Sequence, residues 1–204
     1  MKNKIIAVIG AGGKTTLIHR LAEEYRRKGA SVLVSTTTHM LVEPDTDLSC
    51  DSFAIMEKIK KTGYCMAGAV CPENSAKMQS LPEQMLHDLM KQVDYVLIEA
   101  DGAKHYALKY PSEQEPVIPE GTTDVILVLG SWDLGKPCKD VVFRFEHMTS
   151  VLGISGDMKA DKQMLQWIWQ AYDEKLKNMD YQGHFHVLLS EKTDQGLMFH
   201  TLKE

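Results

Sequence analysis

The chain has 204 residues, 44% of them hydrophobic, and a formal net charge of −5 at pH 7. This length suits one α/β core, while an acidic balance without basic blocks argues against nucleic acid or an anionic membrane as a partner. The four cysteines form no C-x-x-C pair, so we expect reduced thiols in the cytoplasm. No apolar run approaches about 18 residues, so we expect an untargeted protein without a membrane span.

The first predicted element is a strand that leads into a glycine-rich loop. Residues 4–16 read KIIAVIGAGGKTT, so an apolar run precedes Gly10, Ala11, Gly12, Gly13, Lys14, Thr15 and Thr16. Glycine amides can turn inward on an anion, Lys14 adds a positive charge, and the Thr15 hydroxyl suits Mg²⁺. The pattern predicts a site for a nucleoside triphosphate, ATP or GTP, with Mg²⁺. A glycine turn with a capping threonine is the alternative.

The loop departs from the Walker A pattern at one position. Val8 stands where that pattern has its first glycine, which leaves the shorter form G-x-x-G-K-T. Such short forms resemble the loops of Mur-type ligases, and related loops occur in dethiobiotin synthetase-like and MinD-like ATPases.

A helix and a second strand follow the loop. Apolar residues recur at helical spacing from Leu17 to Tyr25, and residues 31–35 (SVLVS) are typical of a buried parallel strand. The strand leads into Thr36, Thr37, Thr38 and His39. Since the carboxyl ends of parallel strands face the ligand, we expect Thr37 and Thr38 to reach the magnesium ion or the γ-phosphate. Threonines that merely continue a strand are the alternative, and His39 is either a substrate contact or polar surface.

The segment that follows carries weaker signals. Residues 53–61 predict a short helix, residues 64–69 a strand and residues 71–74 a turn. Ser80 and Glu83 have the spacing of a capping box, which predicts a helix that extends to about Val93.

A strand that ends in carboxylates is the second strong pattern. Residues 95–104 read YVLIEADGAK, which delivers Glu99 and then Asp101 to the sheet edge that carries the glycine loop. This is the logic of a Walker B strand, and it predicts that Glu99 holds Mg²⁺ directly or through water. An ordinary acid at a strand end is the alternative.

Residues 104–119 (KHYALKYPSEQEPVIP) contain three prolines and no clean periodicity. Long loops inside compact domains are usually functional or disordered, and we favour function here. We expect Lys104 and Lys109 to bind an anionic substrate or the transferred phosphoryl group and His105 to serve in proton transfer. Solvated loop lysines are the alternative.

The distal part predicts a strand at residues 124–130, a helix at 159–177 and a last strand at 184–190. The next four residues, 191–194 (EKTD), resemble the N-K-x-D signature that reads a purine base. Asp194 is therefore a candidate base-binding residue, with a polar turn as the alternative.

These patterns predict an α/β fold, a P-loop NTPase-like three-layer fold with a mostly parallel sheet, as one nucleotide-binding domain over residues 1–204. The candidate catalytic residues are Lys14, Glu99, Asp101 and Lys104. The candidate nucleotide-binding residues are residues 10–16, Thr37, Thr38 and Asp194, and the candidate metal ligands are Thr15 and Glu99.

Five segments in this order resemble the YqeC family: VIGAGGKTT, STTTHM, IEADGAK, LKYPSEQEPVIP and DVILVLGSWDLGKP. The resemblance covers residues 4–137 and continues faintly to residue 194. It implies a P-loop fold and a part in maturing selenium-dependent molybdenum hydroxylases, with such a hydroxylase or its cofactor as partner. It also implies that Gly10, Gly13, Lys14 and Thr15 bind phosphate and magnesium, that Glu99 completes the metal site, and that Lys104 lies in the substrate region.

The chain departs from the family pattern at two places. The expected His-Arg pair is Phe143-Arg144, and the base signature begins with Glu191. Three functions stay open: a Mg²⁺-dependent NTPase or nucleotide-dependent transferase, a switch or carrier that binds a nucleotide or pterin nucleotide without turnover, and a Mur-like ligase domain.

Overall fold

A computed structural model describes residues 3–155 and 157–203 of the chain. The strands in these ranges are β1 (Lys4–Gly10), β2 (Val32–Thr36), β3 (His39–Leu41), β4 (Tyr64–Met66), β5 (Ala69–Val70), β6 (Lys77–Gln79), β7 (Tyr95–Glu99), β8 (Leu108–Lys109), β9 (Asp124–Gly130), β10 (Val142–Phe143), β11 (His184–Thr193) and β12 (Gly196–Lys203). The helices are α1 (Lys14–Arg27), α2 (Ser52–Thr62), α3 (Glu83–Met90), α4 (Cys138–Val141), α5 (Phe145–Leu152) and α6 (Lys162–Asn178).

The main sheet has the strand order β12-β11-β9-β1-β7-β2-β4. The pairs β1 with β7, β7 with β2, and β2 with β4 are parallel, whereas β11 and β12 are antiparallel. Two smaller sheets have the orders β10-β8 and β3-β6-β5. The prediction of an α/β fold with a mostly parallel sheet is confirmed.

Strands β1, β2, β7 and β9 are apolar runs that are buried along almost their whole length. Such runs form where both faces of a parallel sheet are covered. The register pairs Glu99 at the end of β7 with Val8 on one side and with Thr36 on the other. The carboxyl ends of β1, β2 and β7 therefore lie at one level.

The chain divides into two compact units. The first contains residues 3–8, 15–100 and 117–124, and so includes most of β1, the strands β2 to β7 and the helices α2 and α3. The second contains residues 9–14, 101–116 and the described residues from 125 to 203, and so includes the glycine loop, most of β9 and the helices α4 to α6. None of the helices in the described ranges is long and apolar enough to cross a membrane.

The predicted capping box before α3 is wrong. Pro82 occupies the N-cap position, with φ −49° and ψ 133°, and makes no side-chain hydrogen bond there. Glu83 is consequently the first helical residue rather than the third. The Ser80 hydroxyl donates instead to the carbonyl of Leu81 at 2.9 Å.

The last predicted strand is longer than expected and has an antiparallel partner. β11 continues to Thr193, through three of the four residues compared with the base signature, and Asp194 lies exposed in the turn before β12. Pairing of Thr193 with Gly196 closes this hairpin. Strand β12 was missed because its residues alternate poorly and become a strand through pairing with β11.

Candidate functional site

The glycine loop follows β1 directly and has a left-handed backbone at three positions. Gly10, Gly12 and Gly13 have φ angles of 84°, 83° and 111°. A Cβ atom on Gly10 would lie 2.5 Å from the carbonyl oxygen of Val128, and one on Gly12 would lie 2.5 Å from the amide nitrogen of Gly130. Only glycine combines this backbone conformation with so close an approach to β9.

Helix α1 begins at Lys14, immediately after the loop. The first amides of a helix have no partner within the helix and carry partial positive charge, so this end favours an anion. Lys14 is only 5% exposed, and its ammonium donates a hydrogen bond to the carbonyl of Gly10 at 3.0 Å. The lysine side chain therefore folds back over its own loop instead of extending into solvent.

Thr15 and Glu99 meet in the first unit although 84 positions separate them. The Thr15 hydroxyl donates to the Oε2 atom of Glu99 at 2.8 Å, and Glu99 is only 7% exposed. Thr15 lies in the first turn of α1, and Glu99 is the last residue of β7. A hydroxyl and a carboxylate are oxygen ligands of the kind that Mg²⁺ prefers.

Thr36 fixes the backbone of Glu99, a role that sequence reasoning missed. Its buried hydroxyl donates to the Glu99 carbonyl at 2.7 Å and accepts from the amide of Thr38 at 3.0 Å. The hydroxyl of Thr37 donates to the carbonyl of Val117 at 2.7 Å. Thr36 thus positions the acid, while Thr37 anchors the segment after β8. The parallel register of β2 and β7 is the signal that could have found Thr36.

Asp101 lies at the centre of a buried polar network in the second unit. Its side chain is 0% exposed, and its Oδ2 atom accepts from the amide of Gly10 at 2.9 Å and from the Tyr172 hydroxyl at 2.5 Å. Its Oδ1 atom accepts from the Lys109 ammonium. Burial, followed by the charge of Asp101, raises the pKa of Tyr172 well above its ordinary value. Asp101 therefore ties the start of the glycine loop to β8 and α6.

Lys109 is fully buried, so the alternative of a solvated loop lysine is wrong for this residue. Its ammonium also donates to Glu115 at 2.7 Å and to the carbonyl of Gly102 at 2.5 Å. Arg144 donates to the same Glu115 oxygen at 2.6 Å. Burial alone would raise the pKa of Glu115, but the hydrogen bond and charge of Lys109, with the charge of Arg144, hold that pKa below its ordinary value.

The structure places Lys104 and His105 on the exposed part of the loop between β7 and β8, both with positive φ. The Lys104 ammonium lies 5.3 Å from the centre of the Phe143 ring, within the range of a cation–π contact. Phe143 stands at one of the two places where the chain departs from the family pattern.

The β11–β12 hairpin packs against the glycine loop. The buried hydroxyl of Ser190 donates to the carbonyl of Gly12, and a Cβ atom on Gly13 would collide with the side chain of Leu197. Lys192 lies 4.6 Å from the Trp132 ring centre. The hairpin therefore supports the loop through Ser190 and Leu197, and Asp194 stands at its exposed tip.

A cleft of about 590 Å³ opens in the first unit beside the end of β2. It is bordered by Thr37, by α3 and by the segment that the Thr37 hydroxyl anchors. The lining residues are Thr37, Ser80, Glu83, Gln84, Leu86, His87, Met90, Val117, Ile118, Pro119 and Glu120. Polar and charged residues make up six of these eleven, so the wall lacks the predominantly apolar character typical of small-molecule sites.

Comparison with known proteins yields two matches. A family model described as "YqeC protein" matches residues 6–146. The chain is also 34% identical over 161 residues to a protein of Escherichia coli (strain K12) named "Uncharacterized protein YqeC". That match covers 75% of this chain and 62% of the relative, so the chain spans less than two thirds of the relative's length. No solved structure matches the chain significantly.

Proposed function

The chain belongs to the YqeC family, as its sequence motifs predict, and from this premise we propose that it is a P-loop protein that binds ATP or GTP together with Mg²⁺. The observation that carries the proposal is the 2.8 Å hydrogen bond from the Thr15 hydroxyl to the Glu99 carboxylate. Two residues far apart in the sequence thereby present oxygen ligands side by side, directly after a glycine loop and a lysine.

The loop residues supply the proposed phosphate site. The amides of Gly10 and Ala11 donate to Asp101 and to the Val128 carbonyl, so the amides of Gly12, Gly13 and the first turn of α1 bind the phosphate oxygens, and the Lys14 ammonium neutralises their charge. The hydrogen bond from the Lys14 ammonium to the Gly10 carbonyl already holds the positive charge over the loop, where it would neutralise a phosphate. The left-handed glycines support this role because they leave no side chains in the way of the loop backbone.

The oxygen ligands of Thr15 and Glu99 fit Mg²⁺. Thr15 follows Lys14 in the chain, so the Thr15 hydroxyl and the Glu99 carboxylate are the groups that would hold the cation of a polyphosphate bound by the loop. Mg²⁺ supplies charge neutralisation of the phosphate oxygens when it is bound. Thr36 holds the Glu99 backbone in place for this contact.

In this proposal Asp101, the second candidate acid, positions the glycine loop. Its carboxylate is engaged by Gly10, Lys109 and Tyr172, so it holds the loop and does not serve as a base for the attacking water. This observation favours a second candidate function, a nucleotide-dependent switch or carrier with slow turnover on its own.

The family resemblance extends the proposal to the maturation of selenium-dependent molybdenum hydroxylases. A phosphate-release assay with and without a molybdenum hydroxylase separates the two candidate functions. Steady release by the chain alone supports an NTPase, and release that requires the hydroxylase supports a switch.

Titration calorimetry with ATP and GTP in the presence of Mg²⁺ tests the binding proposal. Charge-assisted hydrogen bonds contribute about 1.5–3 kcal/mol, so Lys14→Ala should weaken binding by about ten- to a hundredfold. Lys60→Ala removes an exposed lysine of α2 and serves as the matched control. Equal affinity of the Lys14→Ala and Lys60→Ala variants would contradict the proposal.

A further inference from the structure

A second group of ligand-type side chains lies in the first unit, and we propose that His39, Cys71 and Glu73 form a zinc site. Nitrogen, sulfur and oxygen ligand atoms of these residues all lie within 4.8 Å of one another. The proposal does not depend on nucleotide binding, because it uses none of the residues of the glycine loop or of the Thr15–Glu99 pair.

The small antiparallel sheet brings the three residues together. His39 opens β3 and Cys71 directly follows β5, and both strands pair with β6. In the register, His39 and Ala69 both oppose Gln79. The pairing of both strands with β6 therefore brings His39 and Cys71, which are 32 positions apart in the chain, into one small sheet, where their ligand atoms lie within 4.8 Å.

A turn fixes Cys71 relative to Glu73. The amide of Asn74 donates to the Cys71 carbonyl at 3.2 Å, and the Asn74 side chain accepts from the amide of Ala76 at 3.0 Å. The amide of Lys77, where β6 begins, donates to the Asn74 carbonyl at 2.9 Å. These bonds close the turn from Cys71 to Asn74, which contains Glu73, without using the side chains of the cysteine and the glutamate.

The ligand atoms themselves are not engaged elsewhere. Among residues 3–155 and 157–203, none makes a hydrogen bond or ion pair to the side chain of His39, Cys71 or Glu73. The Cys71 side chain is 97% buried, while those of His39 and Glu73 are exposed. A buried thiol that faces an imidazole and a carboxylate without any other partner is available to a metal ion.

The donor types select zinc over magnesium. Thiolate, imidazole and carboxylate together suit Zn²⁺, whereas Mg²⁺ prefers oxygen ligands alone. With bonds of about 2.0–2.3 Å, ligands of a tetrahedral zinc ion lie about 3.3–3.8 Å apart. The ligand atoms lie within 4.8 Å of one another, so a shift of about 1 Å through side-chain rotation of the exposed His39 and Glu73 brings them to that spacing.

Three protein ligands leave the fourth position of the zinc ion open. Zinc sites of this composition hold water or a small ligand there, whereas structural zinc sites have four protein ligands. Binding releases the thiol proton of Cys71 to solvent, because the thiolate is the ligand form. We therefore expect the zinc ion of this site to bind an exogenous ligand and not to serve as a structural zinc ion.

Metal titration of the full-length chain tests the site. The chain is freed of metal with EDTA, kept reduced, and titrated with Zn²⁺ against a chromophoric chelator and, separately, with Co²⁺. We expect one equivalent of Zn²⁺ and, with Co²⁺, a thiolate-to-metal charge-transfer band. Loss of groups that only orient a ligand costs about 10–100-fold in affinity, so Cys71→Ser should weaken Zn²⁺ binding more than about tenfold and abolish the band.

Cys138→Ser is the matched control, because Cys138 is another buried, reduced cysteine, in α4. It should keep both the affinity and the band. His39→Ala and Glu73→Gln change exposed side chains and keep the test sound if Cys71→Ser fails to fold. The proposal is overturned if these two variants bind zinc as tightly as the native chain does. It is also overturned if the charge-transfer band survives in Cys71→Ser.

Discussion

Replacing Lys109 with methionine tests whether the buried charge network holds the second unit together. Lys109 is 0% exposed and is paired with Asp101 and Glu115, and methionine keeps its apolar length while removing the charge. Removing one partner of a buried ion pair costs about 3–5 kcal/mol, because the other charge stays buried without compensation. Asp101 keeps two hydrogen bonds and Glu115 keeps Arg144, so we expect the lower end, about 3 kcal/mol.

Urea unfolding at pH 7 measures the free energy of unfolding of each variant. Lys60→Met breaks an exposed pair with Glu57 and should change this free energy by less than about 0.5 kcal/mol. Combining Lys109→Met with Asp101→Asn removes the stranded charge, so the double variant should be more stable than the sum of the single effects predicts. A Lys109→Met variant within about 1 kcal/mol of the native chain, or strictly additive effects, would refute this reasoning.

Three further predictions concern the glycine loop and its support. Gly12→Ala should destabilise the chain by at least about 1 kcal/mol more than Gly29→Ala, because both have φ near 83° but only Gly12 approaches another backbone closely; equal losses in urea would contradict this. Tyr172→Phe should cost about 1.5–3 kcal/mol in the same assay, since the hydroxyl donates to a buried carboxylate. Because the pKa of Glu115 is lowered in the folded chain, its ion pairs contribute fully to the free energy of unfolding when the pH is above the ordinary pKa of 4.5. This contribution is lost as the pH falls through the lower pKa of the folded chain. Glu115→Gln should flatten stability against pH in that acid range, and an unchanged acid slope argues against the ion pairs.

The sequence predicted the parts of the site that depend on local patterns. An apolar run before a glycine loop defines β1, and an apolar run before an acid defines β7, so parallel pairing alone brings Glu99 level with Val8 and Thr36. The Thr15–Glu99 contact follows from these two strands and the first turn of α1.

The sequence did not reveal the network behind the loop. Lys109 belongs to a two-residue strand, too short for a periodic pattern, and its pairing with β10 depends on residues more than 30 positions away. In the sequence, Tyr172 is recognisable only as part of the apolar stripe of α6. Its hydroxyl donates a hydrogen bond to Asp101, which is 71 positions away in the chain. Such contacts are set by tertiary packing and leave no local signal.

The His39–Cys71–Glu73 cluster was missed for a similar reason. His39 and Cys71 stand at the ends of strands β3 and β5, which are three and two residues long, and Glu73 lies in the turn that follows. Without the pairing of both strands with β6, the histidine and the cysteine are isolated residues with no metal-ligand spacing.

The most direct test of the proposed function is the magnesium dependence of ATP binding, measured by calorimetry with Mg²⁺ and with EDTA in the native chain and in Glu99→Gln. We predict that Mg²⁺ strengthens binding to the native chain and that Glu99→Gln lowers this gain by about tenfold, which corresponds to about 1.4 kcal/mol. The same gain from Mg²⁺ in both proteins, or no ATP binding by the native chain, would contradict a site in which Thr15 and Glu99 hold the metal of a bound nucleotide.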